Sequence, residues 1–299
     1  MHVSGPVLNF VAAHWLTLVI LGVGIVETIF GLYGNYWDRN EKAVDVFSYV
    51  LVQSIVIPVA ALLALKLCVL IAPHLAGSLG WIPFWWGIAI LCVGDDLTQY
   101  WYHRLHHQLP WLWRFHRTHH SSSYMGANMA YRQGIVYAFG FANVWVVAVL
   151  TFLGLGPAAI VTSAAKAVVV IASHTAIRWD QPLYKYKVLH PLAWLLEHTF
   201  IMPAVHHAHH AATSDDGIGY YKGNFGNLFF FWDLTFGTAR ITRQYPAHYG
   251  VSHYENDPWH AQLLWPFVKS NVPGSELSQG GPVLREDVPL EHRIARYRR

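Results

Sequence analysis

Long apolar runs separated by short polar breaks dominate the first two thirds of the chain. An α-helix needs about 20 predominantly apolar residues to cross roughly 30 Å of hydrocarbon. Five stretches meet that requirement: about Val7 to Leu32, Val46 to Ala72 with Pro58 inside it, Ile82 past Gly94 to Tyr102, Ile135 to Leu153, and Ala158 to Ile177 with Lys166 inside it. Pro73 and Gly80 mark a turn between the second and third, and Gly154, Gly156 and Pro157 a turn between the fourth and fifth. Beyond about Arg178 no run is long and apolar enough to span. Leu192–Phe200 and Leu228–Phe236 are short, aromatic and interrupted, and read as interfacial helices or a cap.

The expected fold is therefore all-α, a polytopic membrane helical bundle of about five spans with a cytosolic-face helical cap. Residues 1–81 form an N-terminal transmembrane hairpin, 82–240 a core that holds most of the histidines, and 241–299 a C-terminal cytosolic segment ending in a basic tail. No basic leader precedes a small-residue cleavage site, so the first run is expected to be retained.

The basic residues orient the bundle. The N-terminal stub, the Pro73–Trp81 turn and the Gly154–Pro157 turn carry no Lys or Arg. The opposite side collects Arg39, Lys42, Arg104, Arg114, Arg117, Arg132, Arg178, Lys185 and Lys187, and is expected to be cytoplasmic. Lys166 alone lies near mid-span. Arg104, Arg117 and Arg132 could attract a lipid headgroup or an electron donor, or serve as ordinary inner-face charges.

Composition sharpens this picture. Of 299 residues 54% are hydrophobic and only 12% charged, against about 25% charged in soluble domains. That excludes disorder, and a net charge of +3 is too small to argue for nucleic acid. Cys68 and Cys92 sit in apolar runs and read as buried thiols. The anomaly is histidine, with 20 residues against 17 Asp plus Glu. Six fall within His103–His120 and five within His198–His210.

These windows have helical spacing. Asp96, Tyr100, His103 and His107 share one face, at steps of four, three and four. A carboxylate on that stripe, such as Asp96, can accept a ring N–H and fix a tautomer. His116, His119 and His120 follow at i, i+3, i+4, and His206, His209 and His210 repeat the pattern. His174, His190 and His198 lie between. Scattered histidines such as His2, His14, His74, His248, His253, His260 and His292 read as ordinary hydrogen-bonded residues. Eight clustered imidazoles exceed what one metal needs, so two metals are expected. Neutral imidazoles suit Fe, Zn, Cu or Ni. The absence of H-E-x-x-H removes the base of an intramembrane zinc protease.

At these residues the chain resembles the fatty acid hydroxylase/sterol desaturase superfamily. Asp96-x-x-x-Tyr100-Trp101-x-His103-Arg104-x-x-x-His107 is similar to its first histidine box. Leu112-Trp113-x-x-His116-x-x-His119-His120 looks like the second, and Pro203-x-x-His206-His207-x-His209-His210 the third. Asn224-Phe225-Gly226 and Trp232-Asp233-x-x-Phe236-Gly237-Thr238 resemble the closing elements. Within the superfamily, Asn128 to Gln133, His174-Thr175 and Glu197 to His210 look most like the alkylglycerol monooxygenase branch, which implies an ether lipid and a pterin reductant.

The resemblance implies two Fe ions, with Zn able to occupy the same cage, held by His103, His107, His116, His119, His120, His206, His209 and His210, with His174. The family usually offers another His soon after the position of His174, where Arg178 and Trp179 stand here. Either one metal has fewer ligands, or His198 or His190 fills the gap. Asp96 and Asp233 are candidate supporting carboxylates.

The implied reaction is O2-dependent oxidation of a lipid C–H bond at the cytosolic membrane face. The lipid is a fatty acyl chain, a sterol or an ether lipid. No electron-transfer module is visible, so a separate donor is expected, a pterin or a ferredoxin/cytochrome system. The alternatives are a desaturase on the same site, a zinc-dependent membrane hydrolase, and a non-enzymatic metal carrier or sensor. The oligomeric state is left open.

Overall fold

The computed structural model describes residues 18–251 and 257–279. The start of the first expected span, the basic tail beyond residue 279, and His2, His14, His253 and His292 lie outside the described residues. Within them the fold is all-helical, with no β-strand and only isolated bridges such as Phe200–Phe229 and Ala211–Tyr249.

Helix α1 (Leu18–Ile29) is followed by α2 (Arg39–Ile71). Asp38 caps α2, its carboxylate accepting the Glu41 N–H at 2.9 Å. Pro58 does not break α2. A π-helical turn at Val52–Val56 precedes it, and the Ile57 amide donates to the Val52 carbonyl, one residue further back than in an α-helix. The wider turn makes room where the proline ring would otherwise strike the preceding carbonyl.

Helix α3 (Phe84–Gln108) runs through the first histidine pair without interruption. Pro110 starts α4 (Pro110–His120) at its first turn, where a missing N–H costs nothing. The next apolar stretch is divided into α5 (Ile135–Phe139) and α6 (Ala142–Leu150), with a break at Gly140-Phe141. Helix α7 (Gly156–His174) follows. Short elements complete the order: α8 (Gln181–Lys185), α9 (His190–Thr199), α10 (Pro203–His209), α11 (Phe231–Thr235) and α12 (Trp259–Leu264).

Helix α3 is the central element, packed against α4, α6 and α7. The second half of α2 packs on α6, and α10 on α7. Leu91 on α3 meets Leu155, Ala158 and Ala159 in a buried apolar cluster. The two turns free of Lys and Arg join at one end of this bundle. Gly77 N–H donates to Phe152 O at 3.0 Å and Leu79 N–H to Leu153 O at 2.7 Å. Gly154 makes that junction possible: its φ is +112°, and a Cβ there would lie 2.8 Å from the Gly80 nitrogen. The apolar stretch therefore folds back at Gly154, and its two ends, near Tyr137 and His174, return to the opposite pole.

Two helical stretches are long and apolar enough to cross a membrane, Arg39–Ile71 and Ile135–His174, the second containing the Gly154 turn. Their outer faces are apolar. Leu70, Ile71 and Ile160 on these stretches, with Trp85 and Trp86 on α3, are each exposed by two thirds or more of their surface.

Candidate metal centre

At the pole opposite the Gly154 turn, α3, α4, α7 and α10 point imidazoles into one buried space. His103 and His107 come from the last turns of α3, and His116, His119 and His120 from α4. His174 ends α7, while His206 and His209 lie on α10 with His210 at its C-cap. All nine are buried.

They sort into two sets. His103, His107, His116 and His120 can direct one ring nitrogen each to a common point, as can His119, His174, His206 and His210. His120, His209 and His210 form a third, overlapping group that connects them. His198 is not brought into these groups. Its Nδ1 donates to Trp194 O at 2.7 Å and its ring stacks on Trp194. His190 bonds Tyr184 O instead. The second set thus reaches four members without either, and Arg178 lies over the Tyr245 ring.

Backbone carbonyls set the tautomers. Nδ1 of His103 donates to Phe225 O at 2.8 Å and Nδ1 of His209 to Gly223 O at 2.7 Å. Nδ1 of His119 donates to Arg132 O at 3.2 Å and Nδ1 of His174 to Val170 O at 2.7 Å. A carbonyl oxygen only accepts, so each of these four rings carries its proton on Nδ1. Their Nε2 atoms then hold lone pairs.

Those lone pairs face each other. Nε2 of His103 lies 3.1 Å from Nε2 of His209, and Nε2 of His119 lies 3.4 Å from that of His174. Nε2 of His206, a ring with no carbonyl on its Nδ1, also comes within 2.9 Å of His174 Nε2, close enough to share a proton or a cation with it. Two lone pairs at such distances repel unless a cation sits between them. At a metal–nitrogen distance of about 2.0–2.1 Å, separations of 2.9 and 3.4 Å correspond to angles of about 90° to 110° at the metal. The residues present fit a metal.

The imidazoles are also held neutral. Burial pushes His116, His119, His206 and His210 well below the ordinary histidine value, and neighbouring imidazoles add to the effect. His207, on the outer side of α10, is lowered to about 3 by burial. It bonds Tyr249 Oη at 2.8 Å and Thr175 O at 3.1 Å and stays outside the cluster. Neutral imidazole is the form that binds metal.

Neither expected carboxylate touches an imidazole. Asp96 accepts the Leu228 and Phe229 N–H groups at 3.0 and 2.9 Å and the Trp232 indole N–H at 3.1 Å, with Lys166 Nζ 3.2 Å away. Asp233 accepts Phe225 N–H, Gly226 N–H and the Thr238 hydroxyl at 2.8, 2.7 and 2.6 Å. Burial raises its carboxyl to about 6, against the pull of these donors. Both carboxylates clamp the loop that presents the Gly223 and Phe225 carbonyls. That loop is tightly built. A Cβ on Gly223 would come within 2.3 Å of Thr238 O, and Asn224 sits at φ +58° with its amide bonded to Val205 O and Arg240 O. The carbonyl anchors carry no side-chain signature, and the Asn-Phe-Gly motif was their one trace in the sequence.

Arg117 and Arg132 are fully buried and face no solvent, which corrects the expectation of surface charges. Arg117 pairs with Asp257 and Glu276, and Arg132 with Glu41 and Asp45. Arg132 also donates to Thr118 O and Ser121 Oγ in the stretch that bears His119 and His120. Glu27, on α1, is another residue the motifs did not mark. Its buried carboxylate accepts Ala127 N–H at 2.9 Å, Ala176 N–H at 2.7 Å and the Tyr33 hydroxyl.

A cavity of about 450 Å³ opens onto the cluster. His103, His116, His119, His174 and His206 form one end, and Val144, Val147, Ala148 and Thr151 of the α6 side extend it toward the Gly154 turn. Its wall is largely apolar.

An all-helical protein with long apolar helices and a buried polyhistidine cluster able to bind metal is thus defined. Residues 88–238, half of the chain, match the sequence profile described as fatty acid hydroxylase, and the chain belongs to the fatty acid hydroxylase family. It is similar to alkylglycerol monooxygenase of Danio rerio, at 29% identity over 59% of this chain and 35% of the relative. The Xenopus tropicalis protein of the same name shares 27% identity over 61% of this chain and 38% of its own length. For the Homo sapiens protein the figures are 27%, 57% and 34%. The matched region spans little more than a third of these relatives. No solved structure matches the chain.

Proposed function

We propose that the chain is an O2-dependent membrane monooxygenase that hydroxylates a lipid with two iron ions held by its histidine cluster. The observation that carries this reading is the His119–His174 pair, two members of one set, whose Nδ1 atoms both donate to carbonyls while their Nε2 atoms meet at 3.4 Å. Family membership supplies the reaction type.

One ion would be held by His103, His107, His116 and His120, the other by His119, His174, His206 and His210, with His209 beside both. Bound there, the irons supply the activation of O2. The chain's own residues do the rest. Carbonyls 132, 170, 223 and 225 fix the lone pairs inward, and Asp96 and Asp233 hold the loop that bears two of them. The apolar cavity admits a hydrocarbon chain, excludes water and keeps one C–H bond near the cluster. Electrons come from a separate donor, a pterin or a ferredoxin/cytochrome system. The relatives' printed name makes an ether lipid the leading substrate class. In this reading about five spans cross the membrane, and the cluster faces the cytoplasm, where the basic residues gather.

The test is iron content and O2 consumption of the purified protein, with mass spectrometry of lipids from cells expressing wild type or His119→Ala. Gain of one oxygen in a lipid, lost in the variant, supports the proposal. Loss of two hydrogens instead would mark a desaturase. No iron and no O2-dependent product would overturn the reading.

A further inference from the structure

Helix α9 is inverted in polarity. Leu192, Trp194 and Leu195 lie on its outward arc and are each exposed by 45% or more. Its inward arc carries Ala193 and Glu197, both buried, and Glu197 is paired with Arg243 at 2.5 Å. A surface helix in water has the opposite arrangement, with charged side chains outward. Helix α11 repeats the inversion. Asp233 is fully buried, while Leu234 and the Phe236 that ends the helix are more than a third exposed. This apolar surface continues onto α3, where the exposed Trp101 meets the Phe236 ring at 5.1 Å.

Hydrogen bonds fix the depth of this surface. Trp85 and Trp86, at the start of α3, are exposed aromatic residues of the kind that mark a membrane boundary. Asp96 follows Trp86 by about 15 Å along the same helix, at 1.5 Å per residue, which is about half of the ~30 Å of hydrocarbon. At that depth Asp96 accepts the Leu228 and Phe229 N–H groups. Phe230 N–H then donates to Thr199 O, at the end of α9, at 2.9 Å. Irregular backbone is tolerated within hydrocarbon only where the protein satisfies its polar groups. The loop meets that condition, for the Phe225 and Gly226 N–H groups go to Asp233, those of Leu228 and Phe229 to Asp96, and that of Phe230 to Thr199. Lys185 and Lys187, both exposed, stand just before α9, where anionic headgroups would receive them.

We infer that α9, α11 and the loop at 225–230 are immersed in the bilayer leaflet nearer the histidine cluster, forming a lipid-binding surface whose exposed side chains meet acyl chains. They are not a water-facing cap. The inference goes beyond the oxygenase reading and rests only on its statement that α2 crosses the membrane. Two observations favour lipid over another protein as the occupant. The apolar surface extends from α9 across α11, which packs on it, to Trp101 of α3, and so joins the outer face of the bundle. Its depth, set by Asp96, is out of reach of a soluble partner.

The test is spin-label accessibility of the full, metal-loaded chain in lipid nanodiscs, in a background of Cys68→Ala and Cys92→Ala. Labels are attached through Leu192→Cys and Leu195→Cys. Leu62→Cys, on the exposed face of α2, is the lipid reference, and Ser214→Cys, in an exposed polar turn, the water reference. Collisions with O2, which enters lipid, are compared with those of a water-soluble nickel chelate. Labels at Leu192 and Leu195 are expected to match Leu62, open to O2 and lost to the chelate. Chelate access as high as at Ser214 would overturn the inference. So would shielding from both probes, the sign of a covering protein or a second copy. Leu192→Asp supplies a measurement without a label. A charge placed in hydrocarbon should lower the melting temperature in nanodiscs, and an unchanged value would contradict contact with lipid. The Leu62 reference separates the two ideas. Chelate access there would sink the membrane reading itself, whereas access at Leu192 and Leu195 with Leu62 shielded would sink this inference alone.

Discussion

His103 and His209 come from helices distant in sequence, yet their Nε2 atoms lie 3.1 Å apart, and each ring is anchored by a carbonyl of one short loop, Phe225 for the first and Gly223 for the second. The pair is repulsive when bare and favourable around a cation. Metal binding should therefore act as folding energy. Titrating metal-stripped protein with ferrous iron should raise its melting temperature until about two equivalents are bound. His116→Ala and His174→Ala should each lose about one equivalent, and His198→Ala none. Calorimetry and metal analysis check this. An equal loss from His198→Ala would contradict the grouping.

The loop clamps predict an effect at a distance. Asn at position 233 keeps one acceptor but turns an NH2 toward a backbone N–H, so Phe225 or Gly226 loses its partner. Asp233→Asn should weaken metal binding about 10- to 100-fold, the range found for groups that orient ligands. Thr238→Val, which removes one of the three donors to Asp233, should have a smaller effect. Competition with a chelator of known affinity measures both.

Buried neutral histidines set the acid response. His116, His119, His206 and His210 lie well below 6.5 when folded and near 6.5 when unfolded. Below that value the unfolded chain binds more protons. The stability these groups contribute is full above about pH 6.5 and is lost as pH falls, by up to about 1.4 kcal/mol per pH unit for each group. Asp233, raised to about 6, acts with the opposite sign, losing its contribution as pH rises from 3.8 toward 6, but it is one group against four. Denaturant melts of metal-free protein should show a midpoint falling steeply from pH 7 to 5. A flat profile would contradict the burial of neutral rings.

Breaking a buried ion cluster should cost more than any surface charge. Arg132→Met leaves Glu41 and Asp45 facing each other in the interior and frees Ser121. A loss of about 3–5 kcal/mol is expected, together with loosening of the turn after His120. Glu27→Gln should be milder, since an amide oxygen still accepts one of its N–H donors. Chemical denaturation in detergent, compared with Arg39→Met at the solvent-facing start of α2, separates burial from charge.

Much of the fold was legible from periodicity. The apolar runs gave the helices, and glycine and proline marked the turns. The histidine spacing gave the cluster, because positions three and four apart share a helix face. Pro58 stands inside a span, and the sequence carries no sign that a π-turn at Val52–Val56 will absorb it. The break at Gly140-Phe141 inside an apolar run was equally invisible. Asp96 shares the stripe with the histidines, yet its partners are the Leu228 and Phe229 amides, the Trp232 indole and Lys166, groups that no spacing within α3 could announce.

The sequence by itself determined which side chains can be ligands and that they fall on one face of each helix, for these follow from a 3.6-residue period and a local chemical identity. Only the tertiary structure decided how they pair. The division into His103, His107, His116 and His120 against His119, His174, His206 and His210 splits adjacent residues of α4 between two sets. It depends on how α4 packs against α3 on one side while its neighbours meet α7 and α10. The tautomers, too, were fixed by backbone carbonyls, which every residue possesses and which only folding can aim.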